Sequence, residues 1–296
     1  MNFVLRYLST SGKARIAEVI STQEQEHPLP DGLVCLEDLA YEASDGSPLA
    51  ADVYRPKDKS AAPLPIAVFV HGGGLFVGSR KANRAYAELL AERGYVVFVP
   101  EYRLIDQTDG IGAISDVCAG FSYLKDHAAE LGGDLERVLV IGESAGGFLT
   151  LYATALANSH QLQEALDIEP HTLPVRRLAC FGGMFYTGEF DPIGLVYRRT
   201  MYGEHLSDEH FKQLIDPEDP RVVSGLPPML LVTSGADFLK SYTLRYTRAL
   251  MMAGHDHRLI YYKKGKELVH AFPSLHPELP QSMEVLDALD TWFREL

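Results

Sequence analysis

The chain has 296 residues, 46% of them hydrophobic, enough to bury a large core, and a single α/β domain can reach this length. With 40 acidic and 27 basic residues the net charge is −13, which argues against nucleic acid and anionic membrane surfaces as partners. No apolar run reaches the ~20 residues of a membrane-spanning helix.

The chain opens with a stretch of helical character up to about Gln25, ended by Pro28–Pro30. Arg6, Ser9, Thr10, Ser11, Lys13 and Arg15 interrupt its apolar residues, so it lacks the continuous apolar segment of a secretory signal, and a cytoplasmic location is expected. The three cysteines, Cys35, Cys118 and Cys180, cannot all pair with one another and read as small buried hydrophobes, which suits a reducing compartment. Between Glu37 and Tyr54 two extended stretches flank Asp45-Gly46, a turn signal, so an antiparallel hairpin at a sheet edge is expected.

From about residue 64 strands and helices alternate. Strand-like apolar runs are Ile66–Val70, Tyr95–Val99, Val138–Ile141, Leu178–Phe181, Met229–Thr233 and Leu259–Tyr262. Helix-like runs are Lys81–Arg93, Gly112–Leu131, Ala145–His160, Leu239–Ala253 and Gln281–Arg294. The alternation predicts a mostly parallel, doubly wound sheet with helices on both faces. One stretch, Gly182 to Pro228, is longer than a single crossover needs and is rich in aromatic and charged residues. With Met1–Asp31 it is expected to form a helical cap on a single domain spanning 1–296.

Four strand ends carry chemistry. After the first run stands His71-Gly72-Gly73-Gly74, where missing side chains let backbone N–H groups point into a site. His71 itself is expected to organise that loop by hydrogen bonding. After the third run stands Gly142-Glu143-Ser144-Ala145-Gly146, a strand–turn–helix elbow with an exposed serine hydroxyl. A serine needs a base in reach and a group that orients the base, and in this arrangement the order is serine, acid, histidine. Asp237 follows the strand Met229–Thr233 across a glycine, and could orient a base or cap the helix beginning near Leu239. His270 follows the last strand on a short loop, whereas His255 and His257 flank that strand's opposite end and read as solvated. Gly72, Gly73 and Gly74 with the N–H of Ala145 would bind a developing oxyanion. No cluster has metal-ligand spacing, so neither metal nor other cofactor is expected.

Together with Tyr102-Arg103-Leu104 and Ala249-Leu250 to Ala253-Gly254, these motifs resemble the hormone-sensitive-lipase-like esterases. The resemblance runs from about Tyr54 to the C-terminus and implies an α/β-hydrolase fold with Ser144 as nucleophile, Asp237 as acid, His270 as base, and an oxyanion hole from Gly73, Gly74 and Ala145. The chain departs from the family pattern at Ile105-Asp106-Gln107, at Glu143 where Asp is commoner, and at Ala271 where Gly is usual. The expected activity is a serine carboxylesterase acting on short to medium acyl esters through an acyl-enzyme. Esters of sugar acetates or hydroxycinnamic acids, amide or formamide hydrolysis, and a non-catalytic small-molecule receptor are the alternatives. Phe76, Tyr186, Tyr197 and Tyr202 are candidates to line the substrate pocket, with Leu75, Phe148, Met184, Phe185 and Met201 beside them. A small-molecule ester is the expected partner, and a homodimer is possible.

Overall fold

The computed structural model of the chain describes residues 12–14, 16–18, 28–58 and 62–295. Strands β1 (Leu33–Glu42) and β2 (Pro48–Pro56) form the edge hairpin, turning at Asp45-Gly46. The remaining strands are β3 (Leu64–Val70), β4 (Val96–Pro100), β5 (Gly133–Glu143), β6 (Val175–Phe181), β7 (Met229–Ser234) and β8 (His257–Tyr262). They make one eight-stranded sheet in the order β1-β2-β4-β3-β5-β6-β7-β8. The hairpin joins antiparallel through β2 and β4, and every pair from β4 to β8 is parallel.

The pleat explains why these strands read as unbroken apolar runs. Successive side chains point to opposite faces, and here both faces are covered. Ile66, Val68 and Val70 enter one core, while Ala67 and Phe69 enter the other. In β5, Val138 and Val140 oppose Leu139 and Ile141 in the same way. The helices that cover the sheet between β3 and β6 are α1 (Arg84–Glu92), α2 (Gly110–Leu131), α3 (Ala145–Leu156) and α4 (His160–Leu166). The segment 182–228 holds α5 (Pro192–Tyr202), a 3-10 turn (Gly203–Ser207), α6 (Glu209–Leu214) and α7 (Pro220–Val223). The chain closes with α8 (Lys240–Met252), α9 (Phe272–Leu275) and α10 (Pro280–Arg294). Apolar residues of α1 and α10 fill one core, and those of α2, α3 and α8 fill the other.

Two helix boundaries differ from the pattern. The run Lys81–Arg93 becomes helical only at Arg84, and the side chain of the preceding Asn83 is turned to Glu143 and caps nothing. The run Ala145–His160 breaks after Leu156, and Ser159 caps a second helix by accepting from the Leu162 N–H. Of the expected N-terminal helix, residues 12–14 and 16–18 are helical, and the rest of the stretch up to Gln25 lies outside the described residues. Cys118 and Cys180 are buried, and desolvation pushes both thiols up to about 12. Cys35 is half-buried, not buried as the composition suggests. No described helix is long and apolar enough to cross a membrane.

Candidate active site

Ser144 sits between β5 and α3 at φ 52°, ψ −113°, a conformation that L-residues reach only under strain. The crowding around it accounts for the flanking glycine: a Cβ on Gly146 would lie 2.1 Å from the Val70 carbonyl oxygen. The strain lifts the serine side chain out of the strand and leaves the first N–H groups of α3, beginning with Ala145, without helical acceptors.

The chain brings His270 and Asp237 to this serine. His270 Nε2 lies 2.8 Å from Ser144 Oγ, and His270 Nδ1 lies 2.7 Å from Asp237 Oδ1. Asp237 is buried and also accepts from Leu239 N–H at 2.8 Å and Thr233 Oγ1 at 3.1 Å. It therefore takes part in the turn before α8 and meets His270 through Oδ1, but it does not cap α8, whose N-cap is Leu239. Gly182, the first residue after β6, leaves room for both: a Cβ there would sit 2.8 Å from Asp237 Oδ2 and from His270 Cε1. Phe238 lies against the imidazole at 4.3 Å between ring centroids, and is itself 70% exposed. Ala271, directly after His270, adopts a left-handed φ of 51°, which explains why glycine suits this position in the pattern.

The glycine loop passes beside the serine. Gly73, Gly74 and Leu75 have φ values of 104°, 61° and 63°, a run of left-handed residues that turns the backbone sharply. Hydrogen bonds from behind hold it. His71 Nδ1 lies 2.8 Å from the Gly72 carbonyl oxygen, and Nε2 lies 2.8 Å from Glu101 Oε1. Tyr102 stacks on His71 and its hydroxyl donates towards the His71 and Gly72 carbonyls at 3.0 and 3.1 Å. Burial alone would raise the Glu101 pKa, but His71 and Arg80 outweigh it and hold that carboxyl below the usual range. Glu101, which the sequence did not single out, and Tyr102, noted there only as part of the Tyr102-Arg103-Leu104 motif, are thus supports of the loop. Their signal was position: they follow β4, the strand next to β3 in the sheet.

A cavity of about 940 Å³ opens over these groups, with Gly73, Gly74, Ser144 and His270 in its wall. Tyr197 of α5 and Met184 also line it. Among the other pocket candidates, Phe76 packs behind Tyr197 at 5.3 Å. Tyr186 and Tyr202 are not in the wall. The Tyr186 hydroxyl donates to Glu218 at 2.8 Å, and Tyr202 is fully buried against Thr187 and Phe211. Leu75, Phe148, Phe185 and Met201 are core residues. The cavity instead extends to the start of α1, including Asn83 and Arg84, and to α9 and the loop beyond it. His255 and His257 are half-buried, not solvated: His255 donates to the Leu226 carbonyl at 3.1 Å, and His257 to that of His255 at 2.7 Å. Among the described residues no three His, Cys, Asp or Glu side chains cluster as metal ligands. Because Tyr202 fills core volume, Tyr202→Ala is expected to lower stability by about 3–5 kcal/mol, read as a drop in Tm.

Residues 51–175 match the family model described as BD-FAE. Over 233 residues the chain is 30% identical to ethyl acetate hydrolase of Pseudomonas putida, an alignment covering 74% of this chain and 71% of that protein. The chain belongs to the hormone-sensitive-lipase-like family of α/β-hydrolase esterases. It is also 30% identical to carboxylic ester hydrolase LipN of Mycobacterium tuberculosis over 77% of this chain, but the match spans only 62% of LipN. Esterase B of Lactobacillus rhamnosis, in a structure inhibited by a tributyrin phosphonate, superposes with a TM-score of 0.86 over 100% of this chain and 97% of its own. At 23% identity that likeness speaks to the fold.

Proposed function

We propose that the protein is a serine carboxylesterase acting on short to medium acyl esters, with Ser144 as nucleophile, His270 as base and acid, and Asp237 as the group that orients the imidazole. The observation that carries this reading is the unbroken chain from Ser144 Oγ to His270 Nε2 at 2.8 Å and from His270 Nδ1 to Asp237 at 2.7 Å. In the first half-reaction His270 Nε2 takes the Ser144 proton as Oγ attacks the ester carbonyl. The tetrahedral oxyanion is held by the N–H groups of Gly73, Gly74 and Ala145, and one such donor typically contributes about 10²–10³ in rate. His270 then returns the proton to the leaving alcohol, and water repeats the sequence on the acyl-enzyme. Membership of an esterase family and the ester-hydrolase names of the relatives support the same chemistry. The test is turnover of p-nitrophenyl esters of graded acyl length, with model amides, acetylated sugars and hydroxycinnamate esters alongside. Amide turnover exceeding ester turnover would overturn the assignment.

Within this reading the segment 182–228 acts as a cap that lines the pocket with Met184 and with Tyr197. Burial pushes its phenol up to about 12, so it stays neutral, and its hydroxyl oxygen lies 2.3 Å from where a Cβ on Gly74 would stand. Tyr197→Ala is expected to change the ratios of kcat/KM among acetate, butyrate and octanoate esters, the acetate changing least because it occupies least of the cavity. Equal changes for all three would mean that Tyr197 does not shape the acyl site.

A further inference from the structure

Glu143 stands directly before Ser144 and has no part in the serine–histidine–aspartate relay. Its side chain is 3% exposed and forms part of the cavity wall. One carboxylate oxygen, Oε2, accepts from Asn83 Nδ2 at 2.5 Å and from Ser274 Oγ at 2.6 Å. The other lies against the glycine loop, 2.6 Å from where a Cβ on Gly72 would stand. Asn83 leads into α1, and Ser274 lies in α9, four residues after His270. A single oxygen therefore joins three segments far apart in the chain: the entrance to α1, the nucleophile elbow and the loop that carries the base.

A buried carboxylate is costly to desolvate unless it is paired and hydrogen-bonded. Burial accordingly raises the Glu143 pKa above the usual carboxylate value, while Ser274, His270, His71 and Asn83 act in the opposite sense. Glu143 in turn adds to what keeps the Tyr102 phenol neutral, of which burial is the largest cause. A glutamine of the same shape could accept both hydrogen bonds through one amide oxygen without a buried charge. The charge is therefore what distinguishes glutamate at this position, and the cavity wall that includes it also includes His270. We propose that Glu143 is a positioning residue: its carboxylate anchors the His270 loop to the nucleophile elbow through Ser274, and its negative charge stabilises the imidazolium that forms when His270 takes the Ser144 proton. This rests on the esterase reading above.

The test compares Glu143→Gln, Glu143→Asp and Ser274→Ala with the wild type on p-nitrophenyl butyrate. A nearby opposite charge typically changes a protonation equilibrium by about tenfold or more. Glu143→Gln should thus lower kcat by about tenfold or more, with KM changed by less than about twofold. Its acid limb of kcat/KM should move to lower pH, because a less stabilised imidazolium loses its proton earlier. Glu143→Asp, which keeps the charge, should retain the wild-type acid limb. Ser274→Ala should lower kcat while leaving that limb in place, since it loosens the loop without removing the charge. A folded Glu143→Gln variant with wild-type kcat and pH profile would overturn the electrostatic part, and wild-type kcat in Ser274→Ala would overturn the anchoring part. Should Glu143→Gln fail to fold, an acid limb shifted downward in Glu143→Asp would overturn the charge argument by itself. Failure of the underlying esterase reading is separate: the wild type would then turn over no ester.

Discussion

Ser144→Ala is expected to abolish ester turnover, lowering kcat by about 10⁴-fold or more, while the protein keeps its fold and its Tm. Alanine removes one oxygen and nothing else from the elbow. The strained φ of 52° is met by alanine as it is by serine, and the neighbouring glycines that permit the turn are untouched. What disappears is the atom 2.8 Å from His270 Nε2. An aryl or alkyl phosphonate offers a second measurement, because it forms a stable adduct with an activated serine. Intact-mass analysis should show one adduct on the wild type and none on the variant, and peptide mapping should place it on Ser144. A labelled serine elsewhere, or turnover retained in the variant, would remove Ser144 from the mechanism.

The sheet was legible because burial on both faces leaves a plain trace. Runs such as Val138–Ile141 are apolar without alternation, and the structure divides them between two cores. The ends of elements were less legible, since side chains with tertiary partners set them. Asn83 directly precedes α1, yet its amide serves Glu143, 60 residues away. At the candidate site the serine, the aspartate and the histidine could be proposed because each follows a strand end, and parallel strands deliver those ends to one edge of the sheet. The cavity wall obeyed no such rule. Aromatic density in 182–228 suggested Tyr186 and Tyr202, but aromatic rings are also what a small cap needs for its own core, and both are used there. Tyr197 and Met184 of that segment do line the cavity, and the wall also includes the entrance to α1 and residues just beyond His270, where Asn83 and Ser274 both donate to Glu143.

Asp237→Asn should lower kcat by about 10⁴ with little change in KM. The argument turns on a single proton. For Nε2 to accept from Ser144, the imidazole must carry its hydrogen on Nδ1, and an ionised carboxylate 2.7 Å away accepts that hydrogen. An asparagine can present its NH2 group instead, which pairs with an unprotonated Nδ1 and leaves the hydrogen on Nε2, facing the serine the wrong way. The Leu239 N–H donates to Oδ1, the same oxygen that meets His270, and Thr233 donates to Oδ2, so in either orientation the asparagine loses a partner and lacks the carboxylate charge that stabilises the imidazolium. The substituted protein should therefore be folded and able to bind ester, but unable to activate its nucleophile. Phosphonate labelling of Ser144 should slow in parallel with kcat, because both depend on the same proton transfer. Near-native turnover and labelling in Asp237→Asn would show that the carboxylate serves the turn before α8 alone and that another group orients His270.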